Sequence, residues 1–344
     1  MKLAETLNFI KSVDRQWYAK AEDHLNSLAM PPGALGDIHQ LAKQLCAIYK
    51  TLKPQIGQRV LVLSAADHGV MAQGVSKYPQ ITDAIVKTAL NGGAAINSFC
   101  HEVQCDLKFV NVGLAVQLEH SALVNLSSGF GTADISLGPA MSREICQKTI
   151  EKGIDYAGEL VRDYQILALG EMGLGNTSVS TAVICGLTGW SVAEVVGPGT
   201  GLEGAELEHK ECVVKRAIDV NVADSGDVLD VLSKLGGFEI AFMTGLILGF
   251  TAAGKAVVLD GFITSASALA AARLSPECCD YMFAGHQSAE PAHQRVLNEL
   301  KLTPILQMKM RLGEGIGAAL ALKTLDTACS LLKNMMTLDK ALKL

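Results

Sequence analysis

One pattern recurs between residues 59 and 310 and limits the folds open to this chain. A short apolar run ends in a turn rich in glycine and polar residues, and a segment with helical spacing follows. Apolar strands that alternate with helices are typical of parallel βαβ units, whose sheet is covered on both faces. The pattern therefore predicts an α/β fold with a parallel sheet. The apolar runs span 60–69, 108–113, 166–176, 256–262, 281–291 and 305–315.

The two ends of the chain lack this pattern and have apolar residues at helical spacing only. Residues 1–55 predict helices on either side of Pro31-Pro32-Gly33, which must break the chain between them. Residues 315–344 predict a further helical segment. We therefore expect helices at both ends and the sheet between them.

The composition excludes several partners. The 344 residues carry 29 Lys and Arg against 35 Asp and Glu, a net charge of −6, so there is no electrostatic footprint for nucleic acid or an anionic membrane. Only 19% of residues are charged, which predicts extensive burial in a covered sheet or a subunit interface. The longest weakly polar stretch, residues 240–254, is too short to span a bilayer.

The expected location is the cytoplasm. The first residues alternate charged and apolar side chains and do not form a signal peptide. The nine cysteines include no CxxC pair, and an odd number without metal-ligand spacing indicates reduced thiols.

Polar residues cluster where the predicted strands end. Carboxyl ends of parallel strands share one edge of a sheet, and ligands bind there in open α/β folds. Glycine-rich turns alone would explain tight corners, but they do not explain the acids and histidines beside them. The sequence therefore predicts a site at this edge that includes Asp67, His68, Glu171, Asn176, Asp260, His286, Glu290 and Glu314.

Two glycine-rich helix starts predict a phosphorylated small molecule. Residues 170–180 follow a strand and open a helix with Asn176, Thr177 or Ser178 as its N-cap, and free backbone N–H groups there can bind an anion. The turn matches neither a dinucleotide fingerprint nor a P-loop. Residues 196–210 form a second such turn, and Lys210 could reach back to an anion. The alternatives are a capped tight turn and a solvated lysine.

Glu314 is the candidate general base. It stands between two glycines just before an apolar helix, where partial desolvation raises the pKa of the carboxyl and the helix N-terminus lowers it. A glutamate with a pKa near neutrality is suited to general-base catalysis. The alternative is an acid that only caps the helix.

A metal site is not expected. His286, Glu290 and His293 could be read as ligands, but no HExxH motif exists, and Pro291 is expected to start a helix that leaves His286 in a loop. Hydrogen bonding of this segment to a sugar or a neighbouring loop fits better.

Taken together, these motifs resemble the nicotinate-nucleotide–dimethylbenzimidazole phosphoribosyltransferase family of cobalamin biosynthesis. The resemblance covers nearly the whole chain, in order. It is carried by PPGALG (31–36), ADHGV (66–70), GVSKYPQ (74–80), NGGAAIN (91–97), GPAMSRE (138–144), GEMGLGNTS (170–178), GPGTGL (197–202), GGFEIAFMTG (236–245), VVLDGFIT (257–264), AGHQSAEP (284–291) and MRLGEGIGAALAL (310–322).

The resemblance implies an activity and an architecture. The family moves 5-phosphoribose from nicotinate mononucleotide to 5,6-dimethylbenzimidazole, giving α-ribazole 5′-phosphate and nicotinate with inversion at C1′. It implies a homodimer without metal or other cofactor. It also implies a Rossmann-like, mostly parallel domain over residues 56–324, with helices on both faces of the sheet, and a small helical domain from residues 1–55 with 325–344.

The resemblance also implies roles for single residues. Glu314 inherits the role of catalytic base, and Glu171 would orient the ribose or support the developing oxocarbenium charge. Tyr78, Met172 and Leu312 would line the base pocket. Phosphate and ribose or nicotinate would be held by Gly173, Gly175, Asn176, Thr200, Lys210, Asp260, Gly261 and Ser288.

Some residues depart from the family pattern. Ala34 stands where serine is expected, and Asp37 where a basic residue is usual. The loop around Tyr78 is variable in the family, so unsubstituted benzimidazole, adenine or a phenol stays open as the acceptor.

Two other functions are considered. One is a metal-dependent phosphohydrolase that uses Asp67, His68, His286 and Glu290. The other is a nucleotide-binding regulatory subunit without turnover, against which the setting of Glu314 argues.

Overall fold

The computed structural model describes residues 2–344, so residue 1 of the predicted terminal domain lies outside the described residues. Seven strands of the described chain form one sheet, and every neighbouring pair is parallel. The predicted parallel α/β fold is confirmed. The strands are β1 (Arg59–Ala66), β2 (Asp106–Gly113), β3 (Leu123–Asn125), β4 (Ile166–Met172), β5 (Ala256–Leu259), β6 (Met282–His286) and β7 (Pro304–Leu306).

Helices surround this sheet and separate most of its strands. In chain order they are α1 (Leu3–Phe9), α2 (Gln16–Ser27), α3 (Asp37–Tyr49), α4 (Thr82–Leu90), α5 (Ala95–Glu102), α6 (Arg143–Leu160), α7 (Asn176–Thr188), α8 (Val192–Val195), α9 (Ala205–Asn221), α10 (Val228–Leu235), α11 (Phe238–Ala252), α12 (Phe262–Leu274), α13 (His293–Glu299), α14 (Ile316–Asn334) and α15 (Leu338–Ala341). None of these helices, within residues 2–344, is long and apolar enough to cross a bilayer.

The strand order is β3-β2-β1-β4-β5-β6-β7. Its first six strands have the Rossmann order, and β7 extends the sheet at one edge. The order reverses between β1 and β4, and such a reversal opens a crevice at the carboxyl ends of the two strands. All six predicted apolar runs contain a strand. The sequence pattern missed β3, which has three residues and no buried side chain.

Alternate side chains of the strands fill two hydrophobic cores, one on each face of the sheet. Val60, Val62, Leu167 and Leu169 face the core formed with helices that include α6, α7, α11 and α12. The intervening residues of the same strands, such as Leu61 and Leu63, face the core formed with α2, α3, α5 and α14. Helices therefore cover both faces, and this burial explains why the strands contain so few polar residues.

Helix α11 accounts for the weakly polar stretch of the sequence. Its residues 238–251 are all buried, and it crosses α6 at very short range. A Cβ atom on Gly153 of α6 would lie 2.1 Å from the carbonyl oxygen of Phe242, and one on Gly245 would lie 2.0 Å from that of Ile150. Only glycine permits this approach, so the stretch is a core helix held by backbone contact.

The chain ends meet beside the sheet, but they do not form one layer. His24 of α2 hydrogen-bonds the carbonyl of Leu332 in α14, and Leu28 pairs with Thr337. Helix α1 packs on the other face, where the N–H of Leu3 donates to Glu151 of α6. Helix α14 also runs through the predicted boundary at residue 325. The division into two domains stays a prediction.

Candidate functional site

A cavity of about 590 Å³ opens at the carboxyl ends of β4, β5 and β6, at the edge of the sheet that the sequence predicts. Its walls come from segments that are far apart in sequence. They bring together twelve of the thirteen residues predicted for the site, namely Tyr78, Glu171, Met172, Gly173, Gly175, Asn176, Thr200, Asp260, Gly261, Ser288, Leu312 and Glu314. Lys210 is the thirteenth and is not in the lining.

Another cavity, of about 780 Å³, lies between α3, α12 and the first residues of β6 and β7. It is larger, but it holds none of the predicted site residues and lies at the amino ends of the strands. Ligands of open α/β sheets bind at the carboxyl ends, so we assign the site to the smaller cavity.

The loop that carries Glu314 has an unusual backbone. Gly313, Glu314 and Gly315 all have positive φ angles, of 83°, 62° and 89°. Glutamate rarely adopts this left-handed conformation, and a non-glycine residue there costs on the order of 1–3 kcal/mol. Strain of this kind collects at functional sites, because surrounding contacts must hold it in place. The loop therefore presents Glu314 in one enforced orientation.

Strand β4 allows this loop to rest on it. A Cβ atom on Gly170 would lie only 2.7 Å from the carbonyl oxygen of Glu314, so no larger residue fits at that position of the strand. A Cβ atom on Gly313 would lie 2.4 Å from Oε1 of Glu171. The carboxyl of Glu171 and the backbone beside Glu314 are thus in direct contact.

Asp260 ties the same loop to the end of β5. Its Oδ2 accepts the N–H of Gly315 at 3.2 Å, and its Oδ1 accepts those of Gly317 at 2.7 Å and Ala318 at 3.2 Å. These are the unpaired N–H groups of the first turn of α14, for which a carboxylate is a favourable partner. The observed partners of Asp260 are therefore protein N–H groups, and its oxygens hold Glu314 in position.

Three of the four acids that line the site, Glu171, Asp260 and Glu314, share a low-dielectric environment. Burial raises the pKa of Glu171 to about 8, with the charges of Asp260, Glu239 and Glu314 adding to the effect and a hydrogen bond from Asn176 opposing it. Burial also raises the pKa of Asp260 to about 7, against its backbone hydrogen bonds. Burial raises the pKa of Glu314 as well, against a hydrogen bond from Ile96.

Glu314 is the acid best placed to accept a proton. The residue is half-buried and lines the cavity, and its Oε2 is a buried atom that has no hydrogen-bond partner within residues 2–344. A carboxylate whose pKa is raised by burial and whose oxygen has a free lone pair meets the requirements for a general base.

The glycine-rich turn after β4 opens α7 as predicted, but its cap differs from the prediction. Gly175, with φ of 87°, is the N-cap, and Asn176 is the first helical residue. The amide of Asn176 donates to Oε2 of Glu171 and does not cap the helix. Gly173 is packed so closely that a Cβ atom there would lie 2.4 Å from the carbonyl oxygen of Ala66. The turn therefore leaves backbone N–H groups beside the cavity and orients Glu171.

Lys210 lies behind the cavity wall. Its side chain is fully buried, and its Nζ donates to Oγ1 of Thr177 at 2.9 Å and to the carbonyl of Gly197 at 2.8 Å. Burial lowers its pKa to about 8, and the charge of Glu290 opposes that shift. Lys210 thus joins the second glycine-rich turn to the first turn of α7. Its ammonium is separated from the cavity by Thr177, to which it donates a hydrogen bond.

The remaining predicted residues form two further parts of the wall. Met172 is buried, whereas Tyr78 and Leu312 are mostly exposed and border the opening. With Ile85, Phe99 and Ile316 they give an apolar region that suits a flat heterocycle. Thr200 accepts the N–H of Lys77, and the N–H of Ser288 donates to His293, so their segments are held by neighbouring loops.

Sequence reasoning missed several lining residues, of which Arg311 and Thr177 carry the chemistry that matters most here. Thr177 follows Asn176 in the glycine-rich motif, where the sequence predicts for it only the role of a helix cap. Arg311 directly precedes residues 312–315, the LGEG loop that carries Glu314. That adjacency is the signal that could have found it, because a loop that places Glu314 in a cavity also carries its neighbours there.

Two residues of the predicted metal alternative, Asp67 and His68, do not line the cavity, contrary to the prediction that they belong to the site. Nε2 of His68 lies 3.1 Å from Oε1 of Glu239 in the core, and Asp67 accepts the N–H of Ala115. His286 and Glu290 line the cavity. No group of three or more potential ligands suited to a metal ion occurs in the part of the chain that the structure describes.

Comparisons with known proteins give one consistent result. A family model described as phosphoribosyltransferase matches residues 10–342. A nicotinate-nucleotide–dimethylbenzimidazole phosphoribosyltransferase of Desulforamulus reducens is 44% identical over 343 residues, which is 98% of each chain. One of Chloroflexus aggregans is 42% identical over 98% of this chain and 97% of that enzyme. The crystal structure of CobT from Thermus thermophilus is 38% identical, with a TM-score of 0.91 over 95% of this chain and 98% of that one.

Proposed function

The chain belongs to the nicotinate-nucleotide–dimethylbenzimidazole phosphoribosyltransferase family, and from this premise we propose that it transfers 5-phosphoribose from nicotinate mononucleotide to 5,6-dimethylbenzimidazole in cobalamin biosynthesis. The observation that carries the proposal is the placement of Glu314. Its strained loop holds a carboxyl whose Oε2 has no hydrogen-bond partner among residues 2–344, in a cavity that combines an apolar wall with two glycine-rich turns.

The chemistry balances with one base. The bond between C1′ and the pyridinium nitrogen breaks, its electron pair stays with the ring, and nicotinate leaves with a neutral ring. A ring nitrogen of the benzimidazole attacks C1′ from the opposite face, so the configuration inverts from β to α. The attacking ring becomes cationic and its other N–H becomes acidic. Glu314 accepts that proton as it becomes acidic, which stabilises the transition state more than the ground state.

Glu171 would act on the ribose. Its carboxyl is buried beside Gly313 and oriented by Asn176. With a pKa of about 8 it is largely protonated at neutral pH, which limits the negative charge in the empty cavity. The positive charge of a bound pyridinium lowers that pKa, so the carboxylate forms when the donor binds and can support the oxocarbenium charge that develops at C1′.

The phosphate would bind to the backbone N–H groups of Gly173 and Gly175 and to Thr177. The start of α7 provides N–H donors and the positive end of a helix dipole. Lys210 would support this site from behind, through its hydrogen bond to Thr177. Asn176 would keep Glu171 in place next to it.

The other predicted residues would complete the contacts. Tyr78, Met172 and Leu312 border the apolar region proposed for the benzimidazole, while Thr200, Gly261 and Ser288 lie where the ribose or nicotinate would bind. Asp260, predicted to hold the same end of the substrate, would act through the LGEG loop, because its oxygens already accept three backbone N–H groups.

Replacement of Glu314 by Gln tests the function and the base together. The purified protein is incubated with nicotinate mononucleotide and dimethylbenzimidazole without added metal, and products are followed by mass spectrometry. We expect α-ribazole 5′-phosphate and nicotinate from the wild type, and a rate about 10²–10⁴-fold lower in Glu314→Gln, the usual range for loss of a general base. Glu102→Gln, on the exposed end of α5, is the matched control.

Each other outcome has its own meaning. Unchanged turnover in Glu314→Gln would remove Glu314 from the mechanism. Nicotinate release without ribazole would indicate hydrolysis or another acceptor, and a panel with unsubstituted benzimidazole, adenine and a phenol would separate these. No release by the wild type, together with bound metal, would favour the phosphohydrolase.

We further propose that the enzyme is a cytoplasmic homodimer that needs no metal. All nine cysteines are unpaired in the structure, which suits a reducing compartment. Phe130 and Leu137 expose 74% and 71% of their surface, and a subunit contact that includes them would bury this apolar area. Size-exclusion chromatography with light scattering tests the dimer, and a monomeric mass at micromolar concentration would contradict it.

A further inference from the structure

The charge of the cavity wall does not match the charge of the proposed donor. Four carboxyl groups, those of Glu171, Asp260, Glu290 and Glu314, line the cavity, and Arg311 is the one Lys or Arg in the lining within residues 2–344. Nicotinate mononucleotide carries a phosphate and a carboxylate. Burial of such anions among acids is unfavourable unless each finds a cationic or hydrogen-bonding partner.

Arg311 has no polar partner among the residues that the structure describes. Its guanidinium makes no hydrogen bond and no salt bridge to the chain over residues 2–344, and the residue is exposed. It nevertheless lies against the second glycine-rich turn, because a Cβ atom on Gly201 would be 3.1 Å from its Nη1. Burial raises the pKa of the Glu290 carboxyl, and the charge of Arg311 is among the effects that oppose this shift. The five N–H donors of Arg311 are therefore free at the wall of the site.

Lys210 cannot take this role, although its ammonium contacts Thr177 of the cavity wall. Its Nζ is fully buried and already donates to Thr177 and to the carbonyl of Gly197. A lysine in that position can support the turn and supply charge at a distance. It cannot form the planar two-point contact with an oxyanion for which a guanidinium is suited.

We propose that Arg311 binds an oxyanion of the nucleotide donor and so determines the affinity of the enzyme for that substrate. The proposal rests on the proposed function, since it assigns a contact in the same site. The oxyanion has two possible sources, the 5′-phosphate and the carboxylate of the pyridine ring. Both take the same fork of N–H donors, and the experiment below separates them.

The test compares Arg311→Gln and Arg311→Lys with Arg273→Gln, a matched loss of charge on α12. Arg273 pairs with Glu299 on the surface and does not line the site. We expect Arg311→Gln to raise the KM for nicotinate mononucleotide about 10- to 100-fold, the range for loss of a hydrogen-bonded charge partner. The KM for the benzimidazole should stay within about twofold. Arg311→Lys should recover only part of the loss, because the ammonium lacks the fork.

Two substrate analogues identify the oxyanion. Nicotinamide mononucleotide lacks the carboxylate, and nicotinate riboside lacks the phosphate. If Arg311 binds the carboxylate, the preference of the wild type for the acid over the amide shrinks in Arg311→Gln. If it binds the phosphate, the KM values for both mononucleotides rise equally in Arg311→Gln, and the KM for the riboside does not change. Either pattern supports the proposal.

Calorimetric titration with nicotinate mononucleotide keeps this result apart from the proposed function. A wild type that turns over, with a KM and a dissociation constant for the donor unchanged in Arg311→Gln, would refute the role of Arg311 alone. An equal loss for donor and benzimidazole would also refute it, because it would indicate a distorted site. A wild type that neither binds nor converts the donor would refute the proposed function, and the proposal with it.

Discussion

Replacement of Asp260 by Asn tests whether this residue positions Glu314 or binds substrate. The carboxylate holds the first turn of α14 through three backbone N–H groups, two on Oδ1 and one on Oδ2. Asparagine keeps the size and one oxygen. Its amide oxygen can retain the contacts of Oδ1 with Gly317 and Ala318, but an NH₂ group then faces the N–H of Gly315, and two donors cannot bond. The variant therefore releases the residue directly after Glu314.

The magnitude follows from that single lost contact. A hydrogen bond to a charged group contributes about 1.5–3 kcal/mol, and removal of a buried charge returns part of it, so we expect about 2 kcal/mol of lost stability. A chain of 344 residues has an unfolding entropy of roughly 0.7 kcal/mol per kelvin. The Tm should thus fall by about 3 °C. A shift of Glu314 by a fraction of an ångström to 1 Å should lower kcat by about 10- to 100-fold.

Calorimetry and steady-state kinetics on the same preparation separate the possible roles. Asp227→Asn is the matched control, since Asp227 caps α10 through the N–H groups of Leu229 and Asp230, away from the cavity. Asp227 is half-exposed and also pairs with Arg143. Loss of such a cap and surface ion pair costs about 1 kcal/mol, so this variant should change the Tm by about 2 °C or less and leave kcat unchanged. A higher KM for the donor with unchanged kcat in Asp260→Asn would refute positioning and restore the predicted ribose contact. A lower Tm with unchanged kinetics would leave only a structural role.

Two further predictions concern Glu171 and Gly170 of β4, against which the loop of Glu314 packs. Burial raises the pKa of Glu171 to about 8, so the folded protein keeps a proton that the unfolded chain releases near pH 4.5. Between these two pH values the free energy of unfolding therefore falls as pH rises, by up to about 1.4 kcal/mol per pH unit. Urea unfolding at pH 5 and pH 7.5 should therefore show that the free energy of unfolding of Glu171→Gln, relative to that of the wild type, increases by on the order of 3 kcal/mol between the two pH values. An equal pH dependence in both proteins would contradict the raised pKa. Gly170→Ala should cost about 1–3 kcal/mol and also lower kcat, because its Cβ atom would displace the backbone of Glu314. The control is Gly158→Ala in α6, where a Cβ atom meets nothing within 4 Å, and it should stabilise the protein by about 0.5–1 kcal/mol. An equal kcat in the wild type and in Gly170→Ala would contradict the prediction, because it would show that the loop tolerates the shift.

Much of the architecture could be predicted from local patterns. Six apolar runs with glycine-rich ends predict parallel strands, and the structure has a strand in each of them. Because the carboxyl ends of parallel strands share one edge, the same pattern predicts that Glu171, Asp260 and Glu314 meet, and all three line one cavity. Strand β3 could not be predicted in this way, because its two apolar residues, Leu123 and Val124, are too short a run to be told from a loop.

The roles of single residues depend on contacts that no local pattern contains. Asp260 is 55 residues from Gly315 in sequence, so its hydrogen bond to that N–H exists only once β5 and α14 pack together. Lys210, expected at an anion, is instead buried with Thr177 and Gly197 as partners. The left-handed backbone of Glu314 is imposed by the surface of β4, where Gly170 leaves room for it.

The sequence by itself thus determined the parallel sheet, the edge that carries the site and the acids that meet there, because strand periodicity and glycine turns act over a few residues. Only the tertiary structure decided that Glu314 has a carboxyl oxygen without a hydrogen-bond partner among residues 2–344 and that Asp260 holds the loop. It also decided that Arg311 is the cation at the cavity wall. Burial, pKa and hydrogen-bond partners depend on groups that folding brings together from distant parts of the chain.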